Sequence, residues 1–74
     1  MSFAGLQRGN RARVIAIESN PGTLRLQEMG LTVGTEFEVA KVAPFGDTIE
    51  IRLRSYSLCL RKCEAEGIEL ELVA

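Results

Sequence analysis

The residues best suited to bind a metal are two cysteines, Cys59 and Cys63, which lie four positions apart in a 74-residue chain without histidine. A structural zinc ion normally takes four ligands, commonly two cysteine pairs or cysteines together with histidines. Two thiolates supply only half of such a set. We therefore predict reduced cysteines, with Cys59 partly packed and Cys63 in a turn, and neither a resident metal nor another cofactor. The alternatives are an adventitious metal, an intermolecular disulfide and a metal site shared within an oligomer.

The acidic and hydroxyl side chains offer no catalytic arrangement. An activated serine, threonine or cysteine nucleophile usually needs a histidine base, which this chain lacks. Glu36 with Glu38, and Glu69 with Glu71, could each place two carboxylates on one strand face, but a solvated face explains that alternation fully. The glycine-rich motifs that hold nucleotide phosphates are also absent from the sequence. We predict that the protein is not an enzyme.

The charges nearly balance, with nine Lys and Arg against ten Asp and Glu and a net charge of −1. Nucleic-acid binding normally relies on a basic surface, and single strands also need aromatic side chains for stacking. Neither pattern is present, so we predict no nucleic-acid partner. A short basic group could contact an acidic partner, although a solvated strand face is the favoured interpretation. That group consists of Arg52, Arg54, Arg61 and Lys62.

Length and composition predict one small domain over residues 1–74, with no repeat or linker to divide it. No apolar run approaches the roughly 20 residues that span a bilayer. Residues 1–6 lack the basic and apolar regions of a secretory signal, and two cysteines do not form a disulfide framework. These features predict a soluble protein of the cytoplasm.

Alternating apolar and polar residues predict five short strands, and a run of good helix formers predicts one helix. Within the first strand, Ala12, Val14 and Ala16 are expected to share the inward face, and if Ile17 also turns inward, a bulge or a bend lies near Ala16. Gly30 should end the helix in a Schellman cap, with Leu31 packing back onto the last turn. The predicted strands cover residues 11–17, 36–42, 49–54, 57–61 and 68–72, and the predicted helix covers 23–29.

Strands this short need mutual closure, because an open sheet would expose two edges and an apolar face. The expected fold is mainly β, a small five-stranded SH3-like barrel with one short helix, and an OB-like topology is the nearest alternative. An SH3-like barrel pairs its first and last strands. Arg11 and Arg13 of the first strand should therefore lie beside Glu69 and Glu71 of the fifth.

The loop Ala-Pro-Phe-Gly-Asp at 43–47 contains the aromatic Phe45 between proline and glycine. Phe45 either folds back over the end of the barrel or offers an exposed apolar anchor to another protein. Both interpretations stay open on the sequence alone.

Five groups of residues follow one another along the chain: Gly9 with Ala12 and Val14, residues 26–31 with Gly34, residues 42–47, Ile49 with Ile51, and residues 57–62 leading to 68–70. In this order and at this spacing they resemble the FeoA family, the ferrous iron transport protein A family. The resemblance implies an SH3-like, non-enzymatic accessory protein that binds the cytoplasmic part of the membrane ferrous iron permease, a FeoB-type GTPase, and supports or regulates Fe²⁺ uptake. It implies contact with the membrane only through that partner, and small barrels can also self-associate weakly through their edges.

The chain is also similar to the SH3-like C-terminal domain of repressors of the diphtheria toxin repressor type. The alternative function is accordingly a metal-dependent regulatory, or nucleic-acid- or metal-binding, small barrel. Two features depart from the FeoA pattern: Thr48 stands where proline is common, and Arg25 matches the family's helix arginine only approximately.

Carrying the FeoA resemblance onto matching positions implies two partner-binding surfaces, one on the helix and its cap and one on the loop. For Leu26 and Met29 a place in the core is the favoured alternative, because a single amphipathic turn on a small barrel usually packs inward. The implied contact residues are Leu24, Leu26, Met29 and Leu31 on the helix, and Pro44, Phe45, Gly46 and Asp47 in the loop.

Overall fold

Five antiparallel strands and one α-helix make up the computed structural model, which describes residues 1–44 and 47–73. The strands lie in one sheet in the order β4-β3-β2-β1-β5, so that the first and last strands are neighbours. This order confirms the expected SH3-like fold. The elements are β1 (Arg11–Ile17), α1 (Pro21–Glu28), β2 (Glu36–Val42), β3 (Thr48–Arg52), β4 (Ser57–Arg61) and β5 (Ile68–Leu72), with 3-10 helices at Phe3–Gly5 and Lys62–Ala65.

The predicted charge pairing between β1 and β5 is confirmed for one pair. Arg13 lies opposite Glu71, and Arg13 Nη2 is 3.2 Å from Glu71 Oε1. Arg11 instead lies opposite Glu38 of β2, and Glu69 lies opposite Ala16. The second pair was wrong because antiparallel pairing of Arg13 with Glu71 places Arg11 beside Val73, whose N–H donates to the Arg11 carbonyl at 2.8 Å, rather than beside a glutamate. The exposed Arg13–Glu71 pair contributes about 0.2–1 kcal/mol.

Bulges in β1 and β2 bend the sheet. The register shift between Val14 and Ala16 confirms the predicted bulge, and a second shift lies between Val39 and Lys41. One extra residue moves the following side chains to the other face. Ala16 is therefore exposed rather than inward, while Ile17 packs against the core.

The core is built mainly from the inward residues of the strands, and the N-terminal segment completes it. The rings of Phe3 and Phe37 stack with centroids 5.4 Å apart and an interplanar angle of 3°. The backbone N–H of Leu70 donates to the carbonyl of Met1 at 2.8 Å, which holds the N-terminal segment against β5. The buried apolar residues are Phe3, Leu6, Ala12, Val14, Leu26, Leu31, Phe37, Val39, Ile49, Ile51, Leu53, Leu60, Ala65, Ile68 and Leu70.

Helix α1 begins at Pro21, two residues before the predicted start. Asn20 caps it: the Asn20 side chain accepts from the Thr23 N–H at 3.0 Å, and the Thr23 hydroxyl accepts from the Asn20 N–H at 3.0 Å. Pro21 is favourable in the first turn because its ring fixes a helical φ and no intrahelical N–H bond is lost. The reciprocal cap extends the helix toward its N-terminus.

The predicted Schellman cap at the end of α1 is confirmed. Gly30 has a φ of +109°, its N–H donates to the Gln27 carbonyl, and the Leu31 N–H donates to the Leu26 carbonyl, both at 3.0 Å. This hydrogen-bond pair defines the motif, and glycine takes the left-handed conformation at low steric cost. Leu31 is thereby turned back into the core.

Candidate functional site

The helix residues implied as partner contacts divide into two buried and two exposed side chains. Leu26 and Leu31 are 1% and 0% exposed and belong to the core, whereas Leu24 and Met29 are 49% and 44% exposed. The core interpretation was therefore correct for Leu26 and wrong for Met29. Met29 is the C-cap of α1, where the chain leaves the helical face that packs inward.

Tyr56, in the turn after β3, is attached to the same helix end. Its hydroxyl donates to the Met29 carbonyl at 2.6 Å. β3 ends at Arg52, two residues before the predicted end, because the Leu53 N–H donates across the turn to the Tyr56 carbonyl at 2.8 Å. We call the exposed apolar side chains of α1, its cap, the turn after it and the β3–β4 turn the helix-side surface. They are Leu24, Met29, Val33 and Tyr56.

Within the loop at 43–47, the structure describes Ala43, Pro44 and Asp47. Pro44 and Asp47 are exposed, while Phe45 and Gly46, the other predicted contacts of the loop, lie outside the described residues. Asp47 connects the loop to the 3-10 helix that starts at Lys62. Its carbonyl accepts from the Lys62 N–H at 2.7 Å, and its carboxylate Oδ2 accepts from the Cys63 N–H at 3.3 Å.

Asp47 and Cys63 alter each other's protonation. The Cys63 thiol and backbone N–H donate to the carboxylate and hold the pKa of Asp47 below its usual value. The same hydrogen bond favours the neutral thiol, and with partial desolvation it raises the pKa of Cys63. Cys63 is therefore a poor nucleophile near neutral pH, since the thiolate is the reactive form.

We predict that Asp47→Asn accelerates alkylation of Cys63 severalfold at pH 8. The raised pKa of Cys63 keeps the thiol protonated as the pH rises, and removing the carboxylate lowers that pKa and increases the thiolate fraction. Rates with iodoacetamide would be measured in a Cys59→Ser background. The two chains should react at equal rates in urea, and equal rates in the folded state would contradict the prediction.

Both cysteines are free and exposed. Cys63 lies in the short 3-10 helix, close to the turn that was predicted, but Cys59 is not partly packed. It lies on β4 beside Glu50, whose Oε1 is 3.7 Å from Cys59 Sγ. The prediction for Cys59 was wrong because it occupies an outward position of β4. In residues 1–44 and 47–73, no group of three or more Cys, Asp or Glu residues could hold a metal ion.

The basic group on β3 and β4 is split between the two ends of the hairpin. Arg52 lies opposite Ser57 at one end of the ladder, and Arg61 lies opposite Thr48 at the other. Arg52 and Arg54 line a surface groove with Arg11, whereas Lys62 is next to Asp47. The four side chains therefore do not form one patch.

Sequence reasoning did not assign a role to Tyr56 or Val33. Tyr56 bonds to a carbonyl 27 residues away, and no local pattern identifies such a partner. Their apolar character beside a turn was the only indication available from the sequence. In the described part of the chain, α1 is too short and too polar to be a membrane-crossing helix, and no other helix meets that requirement.

Comparison with known proteins finds a family match over nearly the whole chain: residues 1–72 match the FeoA domain. A curated relative from Porphyromonas gingivalis is described as an Fe(2+) transport protein A/Fe(2+) transporter FeoB fusion protein. It is 32% identical over 76 residues, which cover 100% of this chain. The chain spans 9% of that relative's length.

Two solved structures are similar over the full length of the chain. The FeoA protein from Chlorobium tepidum is 36% identical, with a TM-score of 0.84, and the match covers 100% of this chain and 71% of that protein. A FeoA-like protein from Clostridium acetobutylicum is 33% identical, with a TM-score of 0.87, and the match covers 100% and 87% of the two chains. The similarity therefore includes every strand and the helix.

Proposed function

The chain belongs to the FeoA domain family, and on that premise we propose that it is an accessory protein of ferrous iron uptake. It binds the cytoplasmic part of a FeoB-type ferrous iron permease and supports or regulates Fe²⁺ transport. In this role it is not an enzyme, and it lies in the cytoplasm and reaches the membrane through its partner. Fe²⁺ is the cargo of the permease rather than a ligand of this chain.

The observation that carries this proposal is the fused relative. In the Porphyromonas gingivalis protein, a segment 32% identical to this chain is part of a polypeptide whose description includes the transporter FeoB. A covalent link keeps two domains at a high effective concentration without a strong interface. The fusion therefore supports association between a domain of this family and the permease.

The helix-side surface supports such an interaction. Leu24 and Met29 are about half exposed on one element and its cap, and Tyr56 is hydrogen-bonded to the same cap. Large apolar and aromatic side chains provide most of the energy in protein interfaces. The loop adds Pro44 and Asp47 as exposed residues, and Phe45 remains the predicted anchor between them.

We predict that Leu24→Ser and Phe45→Ala each weaken binding to the soluble cytoplasmic domain of the permease by about tenfold or more. A hot-spot side chain contributes at least about 2 kcal/mol when buried at an interface, which exceeds the 1.4 kcal/mol that corresponds to a factor of ten. Binding would be measured by calorimetry, with and without guanine nucleotide.

Ile15→Ser is the matched control, because Ile15 is 45% exposed on β1 and outside both surfaces. It should bind with wild-type affinity. Unchanged affinity in Leu24→Ser would remove the helix side from the interface, and unchanged affinity in Phe45→Ala would remove the loop. A wild-type chain that does not bind the permease domain under any nucleotide condition would refute the proposed partner.

A further inference from the structure

A groove opens where β2 and β3 separate. The β2–β3 ladder ends at the Glu38–Arg52 pair, while Glu36 continues the pairing of β2 only with β1, opposite Arg13. Beyond Arg52 the chain turns away through the hydrogen bond from Leu53 N–H to the Tyr56 carbonyl. The gap between the two segments has a volume of about 630 Å³.

Three arginines line this groove, and two of them form no salt bridge among the described residues. Arg52 Nη1 lies 3.5 Å from Glu38 Oε1. Arg11 and Arg54 have no carboxylate within 4.0 Å in residues 1–44 and 47–73. In a chain with a net charge of −1, the lining of this groove therefore carries three arginines against two glutamates.

The floor of the groove is apolar. Phe37 and Leu53 line it and are both buried, so that their side chains are fixed by the core beneath. A guanidinium group recognises carboxylates with two parallel hydrogen bonds, and its planar shape reduces the freedom lost for each hydrogen bond formed. The groove thus combines two fixed apolar side chains with three arginines and two glutamates.

We propose that this groove binds an acidic, extended segment of a partner protein. Carboxylates of the segment pair with Arg11 and Arg54, and the aliphatic parts of its side chains cover Phe37 and Leu53. Two glutamates, Glu36 and Glu38, also line the groove. These repel a continuous row of phosphates, whereas a peptide can place neutral residues opposite them.

The groove shares no lining residue with the helix-side surface, and its test needs no permease. The probe is a fluorescent eight-residue peptide that alternates glutamate and threonine, titrated at low salt and followed by anisotropy. We expect saturable binding that weakens about tenfold in the double variant Arg11→Gln, Arg54→Gln, because two charge-assisted contacts are lost. A peptide that alternates lysine and threonine should not bind.

The double variant Arg8→Gln, Arg61→Gln is the matched control, since it removes the same charge from exposed positions that do not line the groove. It should bind the acidic peptide nearly as well as the wild type does. Equal weakening in both double variants, or no binding by the wild type, would overturn the proposal. Tighter binding of an eight-nucleotide thymidine strand, lost in the groove variant, would overturn it in favour of nucleic acid. If the groove variant does not fold, the single variant Arg54→Gln replaces it in the binding test, and it should also weaken binding of the acidic peptide. Arg54 lies outside every strand, so its substitution leaves the sheet intact.

Discussion

Replacing Gly30 with alanine is expected to destabilise the protein by about 2–4 kcal/mol, from backbone strain together with a steric clash. Gly30 has a φ of +109°, which side-chain-bearing residues rarely adopt. A methyl group at this position would also collide with the hydroxyl oxygen of Tyr56. That hydroxyl cannot move without giving up its bond to the Met29 carbonyl. Small domains have total stabilities of about 5–15 kcal/mol, so the loss is large.

Gly34→Ala separates the two causes. Gly34 has a φ of +94°, close to that of Gly30, but a methyl group there would meet no atom within 4 Å. It therefore reports the backbone cost alone, and urea unfolding should show a smaller loss than for Gly30→Ala. Equal losses would mean that the contact with Tyr56 is unimportant.

Tyr56→Phe tests the collision directly. Removing the hydroxyl costs one hydrogen bond, about 0.5–1.5 kcal/mol, but it also makes room for the methyl group at position 30. The penalty of Gly30→Ala should therefore be smaller in the Tyr56→Phe background than in the wild type. A double-mutant cycle with simple additivity would contradict this explanation.

Leu26→Ala is expected to cost about 2–5 kcal/mol, the range for deleting a buried leucine side chain. Leu26 is 1% exposed and lies in the core, and its carbonyl accepts the Leu31 N–H of the helix cap. Leu24→Ala, two residues earlier on the same helix, should change stability by no more than about 0.5 kcal/mol. The pair of variants distinguishes core from surface within α1.

Thermal unfolding gives the same comparison, because 1 kcal/mol shifts the Tm of a domain of this size by about 4–8 °C. Leu26→Ala should thus lower the Tm by at least about 8 °C, while Leu24→Ala leaves it nearly unchanged. A stable Leu26→Ala chain would mean that the core collapses readily around this position. Such a result would return Leu26 to the set of candidate contacts.

The sequence predicts the strands and the helix end because those features depend on neighbouring residues. The alternation of apolar and polar residues predicted β2 and β5 with the same first and last residues as in the structure, and Gly30 predicted the Schellman cap. The exposure of Ala16 could not be predicted, because the bulge in β1 decides which face the following residues occupy. The burial of Phe3 was also missed, since it depends on stacking against Phe37, which is distant in sequence.

The candidate contacts were predicted less well than the fold. The family resemblance implied contacts on the helix and the loop, but one helical turn carries both Leu24 and Leu26, and only packing separates the exposed from the buried leucine. The groove near Arg11 and Arg54 depends on where two strands separate. That separation follows from a turn hydrogen bond at Tyr56, which spacing alone does not predict.

Asp47 holds the end of its loop against the second 3-10 helix, and that 3-10 helix contacts α1 through Glu64, whose Oε2 lies 3.4 Å from Arg25 Nη1. The helix and the loop end are consequently set at one separation by folding. A partner that contacts both would meet a preorganised pair of sites, so the entropy of arranging them is lost before binding. Fixed spacing also discriminates between partners: a protein whose complementary patches are differently spaced can engage one site but not both.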